Sequence, residues 1–368
     1  MSGPVSGSEE LLARAERVGR ELVPLARAGE PGAVNRPLLA ALAEHGLLAK
    51  VGTAGTAMDL CLLREGLALH CTEAETALAL QGLGGRPILA AGRPEVVEEW
   101  MPRVLDGSAV AGFALTEPAA GSDVAALELA AVRDGDGFRL TGEKVYISNA
   151  PDADVYSVFA RTTPGAGARG ITAFAVPAAS PGLSGERLAM LAPHPIGRLR
   201  FADVSVPAGN VLGEVDGGMR VAMSTLDLFR PSVGAFAVGM ARAALDAAVA
   251  HAASRRAFGR ALREFQGVSH QLADVATRVR AAALLVRAAA TAYDTGAPDV
   301  SAAAAMAKLY ATETAQHAVD VAIQVHGARA LERGHPLEHL YREVRAPRIY
   351  EGASEIQREI IARSLFPP

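Results

Sequence analysis

The stretch AVRDGDGFRLTGEKVYIS, Ala131–Ser148, contains two runs of strand-forming residues joined by the turn Asp134–Gly137. Asp-Gly pairs favour the tight turns of β-hairpins, because aspartate and glycine tolerate the backbone angles that these turns require. Further strand-like runs, separated by Gly, Pro and Asp, continue as far as Pro207. We therefore predict β-structure from about Ala111 to Gly213.

The segments on either side of this region have the pattern of helices. Before residue 111, apolar residues such as Leu38, Leu42 and Leu48 recur near helical spacing, with Gly and Pro between the runs. After about Glu214 the chain is rich in Ala and Leu with regularly placed Arg. The order all-α, all-β, all-α argues against a doubly wound sheet, and no GxGxxG pattern marks a dinucleotide-binding turn.

Composition limits the function classes. The 368 residues are 50% hydrophobic with a formal net charge of -4, which gives no general reason to expect nucleic acid or an anionic membrane as partner. The two cysteines, Cys61 and Cys71, supply neither a disulfide framework nor a CxxC metal pair. The N-terminal residues contain no apolar leader segment, and no long uncharged apolar run predicts a membrane span. We expect a soluble, cytoplasmic protein without a metal site.

Two short runs in the β region are candidates for ligand contacts. In FALTEPAAGSDVAAL, Phe113–Leu127, small residues allow close approach of backbone to a ligand, and Ser122 adds a hydroxyl. An ordinary turn between two elements explains the same pattern. Tyr146 and Ser148 are two residues apart and would share one face of a strand, where they would either flank a planar ring or be half-buried. The neighbouring Lys144 is given no chemical role.

A third candidate is SRRAFGRALREFQ, Ser254–Gln266, which places four arginines close together. A phosphate partner and an ordinary solvated face both explain such a run. Phe258-Gly259 interrupts the helical pattern, and close approach of a ligand or a neighbouring chain is one reason for a glycine there.

Glu351 precedes a predicted helix near the end of the chain. The spacing of Ser354 and Gln357 matches a capping box, which predicts a helix that begins just after Ser354. Glu351 then has two interpretations. It complements the positive end of the helix, or the apolar Ile349 and Tyr350 raise its pKa to a value suited to a general base near neutral pH.

Taken together, six motifs resemble the acyl-CoA dehydrogenase family. They follow one another over nearly the whole chain as LTEPAAGSD, GEKVYISNA, VPAGNVLGEVDGGM, RRAFGRALREFQ, QVHGARA and YEGASEIQREI. The resemblance implies an α+β multidomain fold. Its parts are an N-terminal all-α domain (residues 1–110), a central antiparallel β-barrel (residues 111–213) and a C-terminal four-helix bundle (residues 214–368).

The resemblance also implies a chemistry. FAD would lie between the barrel and the bundle, and the reaction would be α,β-dehydrogenation of an acyl thioester, from acyl-CoA to trans-2-enoyl-CoA. A base removes the α proton while flavin N5 accepts the β hydride. The family's glutamate base matches Glu351, whose backbone N–H would also stabilise charge on the thioester oxygen. Some relatives carry the base at the position of Phe229, which cannot serve.

The remaining site residues are carried over by the same resemblance. The cofactor-binding positions are Phe113, Leu115, Thr116, Gly121, Ser122, Tyr146, Ser148, Arg255, Phe258, Gln266, Gln324 and Glu355. The substrate-binding positions are Ser122, Asp227, Arg230, Tyr350 and Gly352. In the family, the matches of four of these residues reach the FAD of a neighbouring subunit, namely Arg255, Phe258, Gln266 and Gln324. The resemblance therefore implies a homo-oligomer, most often a homotetramer.

Four departures from the family pattern affect the cofactor and the acyl entrance. Ala328 replaces the second glycine of a Gly–Gly pair, Ala353 stands where threonine is usual, and Glu355 stands where glutamine is frequent. Residues 51–59 lack an expected Gly–Gly–x–Gly. These changes leave open an acyl group held by a carrier protein in a biosynthetic pathway.

Two other functions are kept as alternatives. One is a flavin-dependent oxygenase or oxidase on the same fold, and the other is a non-catalytic helical interaction protein. Retention of Glu351 favours the dehydrogenase, with an electron-transfer flavoprotein as electron acceptor and a role in fatty acid metabolism.

Overall fold

The computed structural model describes residues 7–52 and 55–366 of the chain. Asn35 and Thr56 start two helices, because their side chains accept hydrogen bonds at 3.0 Å from the N–H groups of Leu38 and Asp59. The helical pattern before residue 111 is confirmed. The helices there are α1 (Gly7–Arg27), α2 (Arg36–Glu44), α3 (Leu47–Gly52), α4 (Ala57–Ala68), α5 (Thr72–Ala91) and α6 (Pro94–Leu105).

The predicted β region forms one eight-stranded sheet. The predicted hairpin is confirmed, since Asp134 and Gly137 face each other across a turn in which Gly135 has a φ of 54°. The hydrogen-bonded path runs β6-β7-β3-β2-β4-β5-β8, and β1 pairs with β4. The strands are β1 (Ala111–Ala114), β2 (Ala130–Asp134), β3 (Gly137–Ser148), β4 (Val155–Arg161), β5 (Ile171–Pro177), β6 (Leu183–Arg187), β7 (Ile196–Pro207) and β8 (Val211–Leu212).

The sheet is mixed, which corrects the expectation of a purely antiparallel barrel. Strand β1 runs parallel to β4, from Ala111 opposite Val155 to Ala114 opposite Val158. A parallel pair requires a long connection, and here that connection contains the whole β2–β3 hairpin. The other extended pairings are antiparallel.

Helices return after the sheet. Between α7 and α8, the chain forms a short hairpin of β9 (Arg256–Ala257) and β10 (Arg260–Ala261). Phe258 and Gly259 at its tip have φ angles of 49° and 84°, which explains the break in the helical pattern. The helices are α7 (Gly218–Ser254), α8 (Gln266–Asp294), α9 (Val300–His326), α10 (Pro336–Glu343) and α11 (Ser354–Leu365).

Helix α7 contains no long uncharged run, since Arg230 and Arg242 lie within it, but its length and composition also bear on whether a segment could span a membrane. Among the described residues, this one helix is long and apolar enough to do so by length and composition. In its most apolar 18-residue window, however, 61% of the residues are buried inside the protein. We therefore interpret α7 as a core helix.

Two glycines let other helices approach α7 closely. A Cβ at Gly239 would lie 2.4 Å from the carbonyl oxygen of Glu65 on α4, and one at Gly234 would lie 3.2 Å from that of Ala307 on α9. No real Cβ tolerates the first distance, so glycine is required there for α4 to pack as it does.

The chain divides into two compact units. One combines the described parts of residues 1–23, 56–75 and 227–368, and is helical. The other combines residues 24–52 with 55 and 76–226, and contains the eight-stranded sheet. The core of the sheet unit is apolar, with the rings of Phe138 and Phe174 5.2 Å apart. The three predicted domains remain a prediction, although β1 begins at Ala111 and β8 ends at Leu212.

Candidate active site

Glu351, the predicted base, lies in a loop between the 3₁₀ turn Ala346–Arg348 and helix α11. Its φ is 53° and that of Gly352 is 94°, so two successive residues have left-handed backbone angles. Glycine adopts such angles freely, but another residue loses about 1–3 kcal/mol. Glu351 is therefore held in this conformation by its surroundings.

Lys308 of α9 holds the backbone on both sides of Glu351. Its Nζ donates to the carbonyl oxygen of Tyr350 at 2.8 Å and also to that of Gly352. The side chain is fully buried. One ammonium group thus fixes two carbonyls that flank the predicted base.

Two further side chains hold the same loop. Arg230 of α7 donates through Nε to the carbonyl oxygen of Glu351 at 3.3 Å. Gln357 of α11 donates through Nε2 to the carbonyl oxygens of Gly352 at 2.8 Å and Glu351 at 3.3 Å. All three carbonyls from Tyr350 to Gly352 therefore accept hydrogen bonds from buried side chains.

The start of α11 is confirmed, but the predicted capping box is wrong. The helix begins at Ser354, its N-cap is Ala353, and no side chain caps it. The hydroxyl of Ser354 instead donates to Glu313 of α9 at 2.9 Å, while Gln357 reaches the loop carbonyls. Ser354 and Gln357 therefore do not cap the helix: Ser354 contacts α9 and Gln357 contacts the Glu351 loop.

The carboxylate of Glu351 lies in a shielded setting. Its Oε2 atom is inaccessible to solvent and has no hydrogen-bond partner among the described residues. Burial raises the pKa of Glu351, while the positive charges of Arg64, Lys308 and Arg230 oppose that rise in this order. The predicted direction is confirmed. The predicted cause needs correction, since Ile349 is 57% exposed and does not form a buried apolar pair with its neighbour.

The strongest opposing charge, Arg64, belongs to a buried ion pair. Its Nε lies against Oε1 of Glu75, and its Nη1 donates to the hydroxyl of Ser232 at 2.7 Å. Arg64 is 3% exposed and Glu75 is fully buried. Burial lowers the pKa of Arg64, but electrostatic interactions with Glu75, Tyr350 and Glu351 raise it by more. The pKa of Arg64 is therefore above its ordinary value, and the guanidinium stays charged.

Asp227 and Arg230 form a pair next to the same loop. Arg230 Nη1 lies 3.1 Å from Asp227 Oδ1, one helical turn away on α7. Arg230 is buried and also contacts the carbonyl of Glu351, which places this pair beside the predicted base. Phe229 between them is 1% exposed and carries no acidic group.

In the sheet unit, a buried ion pair supports the segment predicted to meet the flavin. Lys144 Nζ lies 2.8 Å from Glu117 Oε1 and donates to the carbonyl oxygen of Leu115 at 2.9 Å. The N–H of Val145 donates to the carbonyl oxygen of Thr116 at 3.0 Å. Leu115 is buried and Thr116 half-buried. The backbone of this segment is thus fixed by strand β3.

The prediction that Tyr146 and Ser148 share a strand face does not follow from the observed backbone. The pairing of β3 with β7 shifts register between Lys144 and Ile147, and Tyr146 has a φ of 57°. Simple alternation fails across such a bulge. Tyr146 is 60% exposed and Ser148 is half-buried. The exposed ring still offers an apolar face to a ligand.

The other predicted contacts of the sheet unit lie at the end of β1 and in the turn after it. Phe113 on β1 is buried and its ring centroid lies 5.0 Å from that of Phe159. Gly121 and Ser122 are exposed, and a Cβ at Gly121 would meet no atom within 4 Å. The turn therefore leaves open space on its outer side.

The predicted contacts to a neighbouring subunit are all exposed. Phe258 is 96% exposed at the tip of the β9–β10 hairpin, and Arg255, Gln266 and Gln324 are also exposed. Glu355, which is predicted to contact the cofactor, is exposed as well, and its Oε1 lies 3.9 Å from Nη1 of Arg358. Their exposure agrees with the expected role, which itself remains a prediction.

Sequence reasoning missed the roles of five buried charged residues that support these sites. They are Arg64 and Glu75 near the base, Lys308 under its loop, and the pair Lys144 and Glu117. One signal was available for Arg64, because it stands inside the apolar run LCLLREGLA of α4. The other signal is the rarity of lysine, since two of only three lysines are fully buried.

Comparison with known protein families gives the same result as the motifs. The acyl-CoA dehydrogenase C-terminal domain matches residues 216–366, and the acyl-CoA dehydrogenase middle domain matches residues 112–204. This chain belongs to the acyl-CoA dehydrogenase family. It is accordingly an oxidoreductase whose reaction class is acyl-CoA dehydrogenation.

Characterised relatives of this acyl-CoA dehydrogenase differ in their named reactions. The cyclohexane-1-carbonyl-CoA dehydrogenase of Geobacter metallireducens is 36% identical over 315 residues, covering 83% of this chain and 81% of that protein. The acryloyl-CoA reductase (NADH) of Anaerotignum propionicum is 35% identical over 320 residues, covering 86% of this chain and 81% of that protein.

Solved structures confirm the fold. The butyryl-CoA dehydrogenase of Megasphaera elsdenii has a TM-score of 0.91 and 31% identity, covering 99% of this chain and 100% of that one. An FAD complex of PigA has a TM-score of 0.92 and 26% identity, covering 99% of both chains.

FAD is the cofactor of this family member, and residues of the sheet unit fit it. The exposed ring of Tyr146 provides a stacking surface, Thr116 a half-buried hydroxyl, and the turn at Gly121 space for a bulky group. Within residues 7–52 and 55–366, no group of three or more His, Cys, Asp or Glu is placed to hold a metal ion.

Proposed function

We propose that this protein dehydrogenates an acyl-CoA thioester between its α and β carbons, with Glu351 as the base. One observation carries the proposal. Oε2 of Glu351 is hidden from solvent and has no hydrogen-bond partner among the described residues, so no described group engages the lone pairs with which it would take a substrate proton. Burial also raises the pKa of this carboxyl, which makes it a better proton acceptor near neutral pH than a solvated glutamate.

The residues of the chain would divide the work as follows. Glu351 takes the α proton, the electrons of that C–H bond form the C=C bond, and the β carbon loses a hydride. FAD, when bound, accepts this hydride. The N–H of Glu351 donates to no described residue, so it can donate to the thioester oxygen as that atom gains charge. The product is the trans-2-enoyl thioester.

The physiological setting is also part of the proposal. We assign an electron-transfer flavoprotein as the electron acceptor, fatty acid metabolism as the process and the cytoplasm as the location. The proposed homotetramer rests on the family resemblance, and the 96% exposure of Phe258 at the hairpin tip is compatible with a contact to another chain.

The test is anaerobic bleaching of the purified holoenzyme by a panel of straight, branched and cyclic acyl-CoAs. We expect rapid loss of the visible flavin absorbance with at least one ester in the wild type, and no such bleaching in Glu351→Gln. Glu359→Gln is a matched control, since Glu359 is exposed on α11 and pairs only with Arg363 among the described residues. Undiminished bleaching of Glu351→Gln would refute the assignment of the base.

Other outcomes identify other functions. Bleaching by a thioester on a carrier protein, but by no CoA ester, would show that the substrate is a carrier-bound acyl group and not an acyl-CoA. Reoxidation of the reduced enzyme by enoyl-CoA, with no bleaching by saturated esters, would indicate a reductase such as the acryloyl-CoA enzyme. In that case Glu351 would return the proton to the α carbon, by microscopic reversibility.

A further inference from the structure

The use of lysine in this chain is unusual. Only three of its 36 basic residues are lysine, namely Lys50, Lys144 and Lys308, and the last two are fully buried. An arginine is planar and broad, whereas an ammonium group is a compact charge with three donors. A compact ammonium group with three donors suits a buried position from which two carbonyls must be reached from one point.

Lys308 occupies such a position. Its Nζ donates to the carbonyl oxygens of Tyr350 and Gly352, the residues on either side of Glu351. By bridging these two carbonyls, Lys308 fixes the backbone on both sides of Glu351, whose φ is 53°. Without the bridge, the loop would keep only its hydrogen bonds from Arg230 and Gln357, so Glu351 would be held less firmly in this strained region.

Helix packing brings Lys308 under the loop. A Cβ at Gly234 of α7 would lie 3.2 Å from the carbonyl oxygen of Ala307 on α9, so the two helices approach closely at this point. Lys308 follows Ala307 directly, and Arg230 lies one turn before Gly234. The same close contact therefore directs one donor from each helix to the Glu351 loop.

We propose that Lys308 is a positioning residue for the dehydrogenation, which holds Glu351 in its reactive conformation and supplies a nearby positive charge. This inference rests on the proposed function, since it takes Glu351 as the base. Within the described part of the chain, the Nζ of Lys308 donates to the backbone of the loop, so the proposed role requires no contact with the substrate.

Several charged groups act on this pair. Arg64 of α4 and Arg230 of α7 face Glu351 together with Lys308, and all three lower its pKa against the effect of burial. Burial lowers the pKa of Lys308 to about 8, with Arg230 adding to that fall. Glu351 opposes it most among the acidic groups, followed by Glu313 and Glu355. Loss of the Lys308 charge therefore raises the pKa of Glu351.

Two variants separate charge from geometry. In Lys308→Met, the loop loses both its donor and its charge, so kcat should fall roughly 10- to 100-fold. The acid limb of the kcat/KM profile should move up by about one pH unit. In Lys308→Arg, the charge remains but the bridge does not, so kcat should fall while the acid limb stays in place. In both, KM should change less than kcat.

Controls make the test decisive. Asp320→Asn removes an exposed charge from the same helix and should leave both the rate and the profile unchanged. Flavin absorbance and the melting temperature report whether each variant is folded and loaded. If Lys308→Met does not fold, Lys308→Gln keeps neutral donors, and its acid limb should still shift upward.

The failures can be told apart. A folded, FAD-loaded Lys308→Met with wild-type kcat and an unmoved acid limb would overturn the role of Lys308. If Glu351→Gln were inactive in the same assay, the proposed function would survive that result. If Glu351→Gln remained fully active, the proposed base would fail first, and Lys308 would have no base to position.

Discussion

The buried pair Lys144–Glu117 allows a quantitative test of how the sheet unit is held together. Its atoms lie 2.8 Å apart, with Lys144 fully buried and Glu117 7% exposed. At an effective dielectric constant of about 20, the attraction is about 6 kcal/mol. Burial lowers the pKa of Lys144 from 10.5 to about 8, which corresponds to about 3 kcal/mol against the charged form.

Lys144→Met should therefore destabilise the protein strongly. The substitution leaves Glu117 buried without its cation, although the N–H groups of Glu128 and Leu129 still donate to it at 2.6 and 2.9 Å. Breaking a buried pair on one side costs about 3–5 kcal/mol, and we expect about 3 kcal/mol because these two donors remain. The double variant with Glu117→Gln should recover most of the loss, because no unpaired charge is left.

The assay is urea denaturation of the FAD-loaded protein, followed by circular dichroism and by release of flavin. Release should come at lower urea in Lys144→Met than in the wild type, since the carbonyl oxygen of Leu115 has lost its hydrogen bond from Lys144. A loss below about 1 kcal/mol, the value typical of an exposed pair, would refute the reasoning. So would a double variant that is less stable than the single one.

Three further predictions concern charge, packing and pH. Arg64→Met should raise the pKa of Glu351 and move the acid limb of kcat/KM to higher pH. Arg64→Lys keeps the positive charge, so its acid limb should lie at lower pH than that of Arg64→Met. Gly239→Ala should lower the free energy of unfolding by about 1–3 kcal/mol, while Gly267→Ala, with open space at its Cβ, should not, as urea curves will show. Between pH 8 and 9, the free energy of unfolding should rise by about 1 kcal/mol for each buried lysine, and Lys144→Met should reduce this rise.

The sign of the pH effect follows from the direction of the lysine shifts. Both folded pKa values, about 8, lie below the ordinary 10.5, so the unfolded chain binds more protons in this window. Above pH 9 this rise in the free energy of unfolding should be opposed. Burial raises the pKa of the Cys61 and Cys71 thiols from 9.0 to about 12, so in this range the unfolded chain loses thiol protons that the folded chain keeps. An unfolding free energy that falls between pH 8 and 9 would contradict the assignment.

Local features of this protein were determined by the sequence alone. The turn Asp134–Gly137 predicted its hairpin, Phe258-Gly259 marked a break in the helices, and the start of α11 at Ser354 was placed within one residue. These features depend on backbone preferences of residues adjacent in the chain, which sequence displays directly. The position of Glu351 before α11 followed in the same way.

Only the tertiary structure decided which charges are buried and what they hold. The parallel pairing of β1 with β4 joins residues more than 40 positions apart, and Lys308 reaches the Glu351 loop from a similar distance. Arg64 meets Ser232 from still farther away. Periodicity cannot reveal such partners, because burial and ion pairing depend on which elements pack together. The sequence thus located the predicted base, and the fold supplied the lysine and arginines that set its conformation and its pKa.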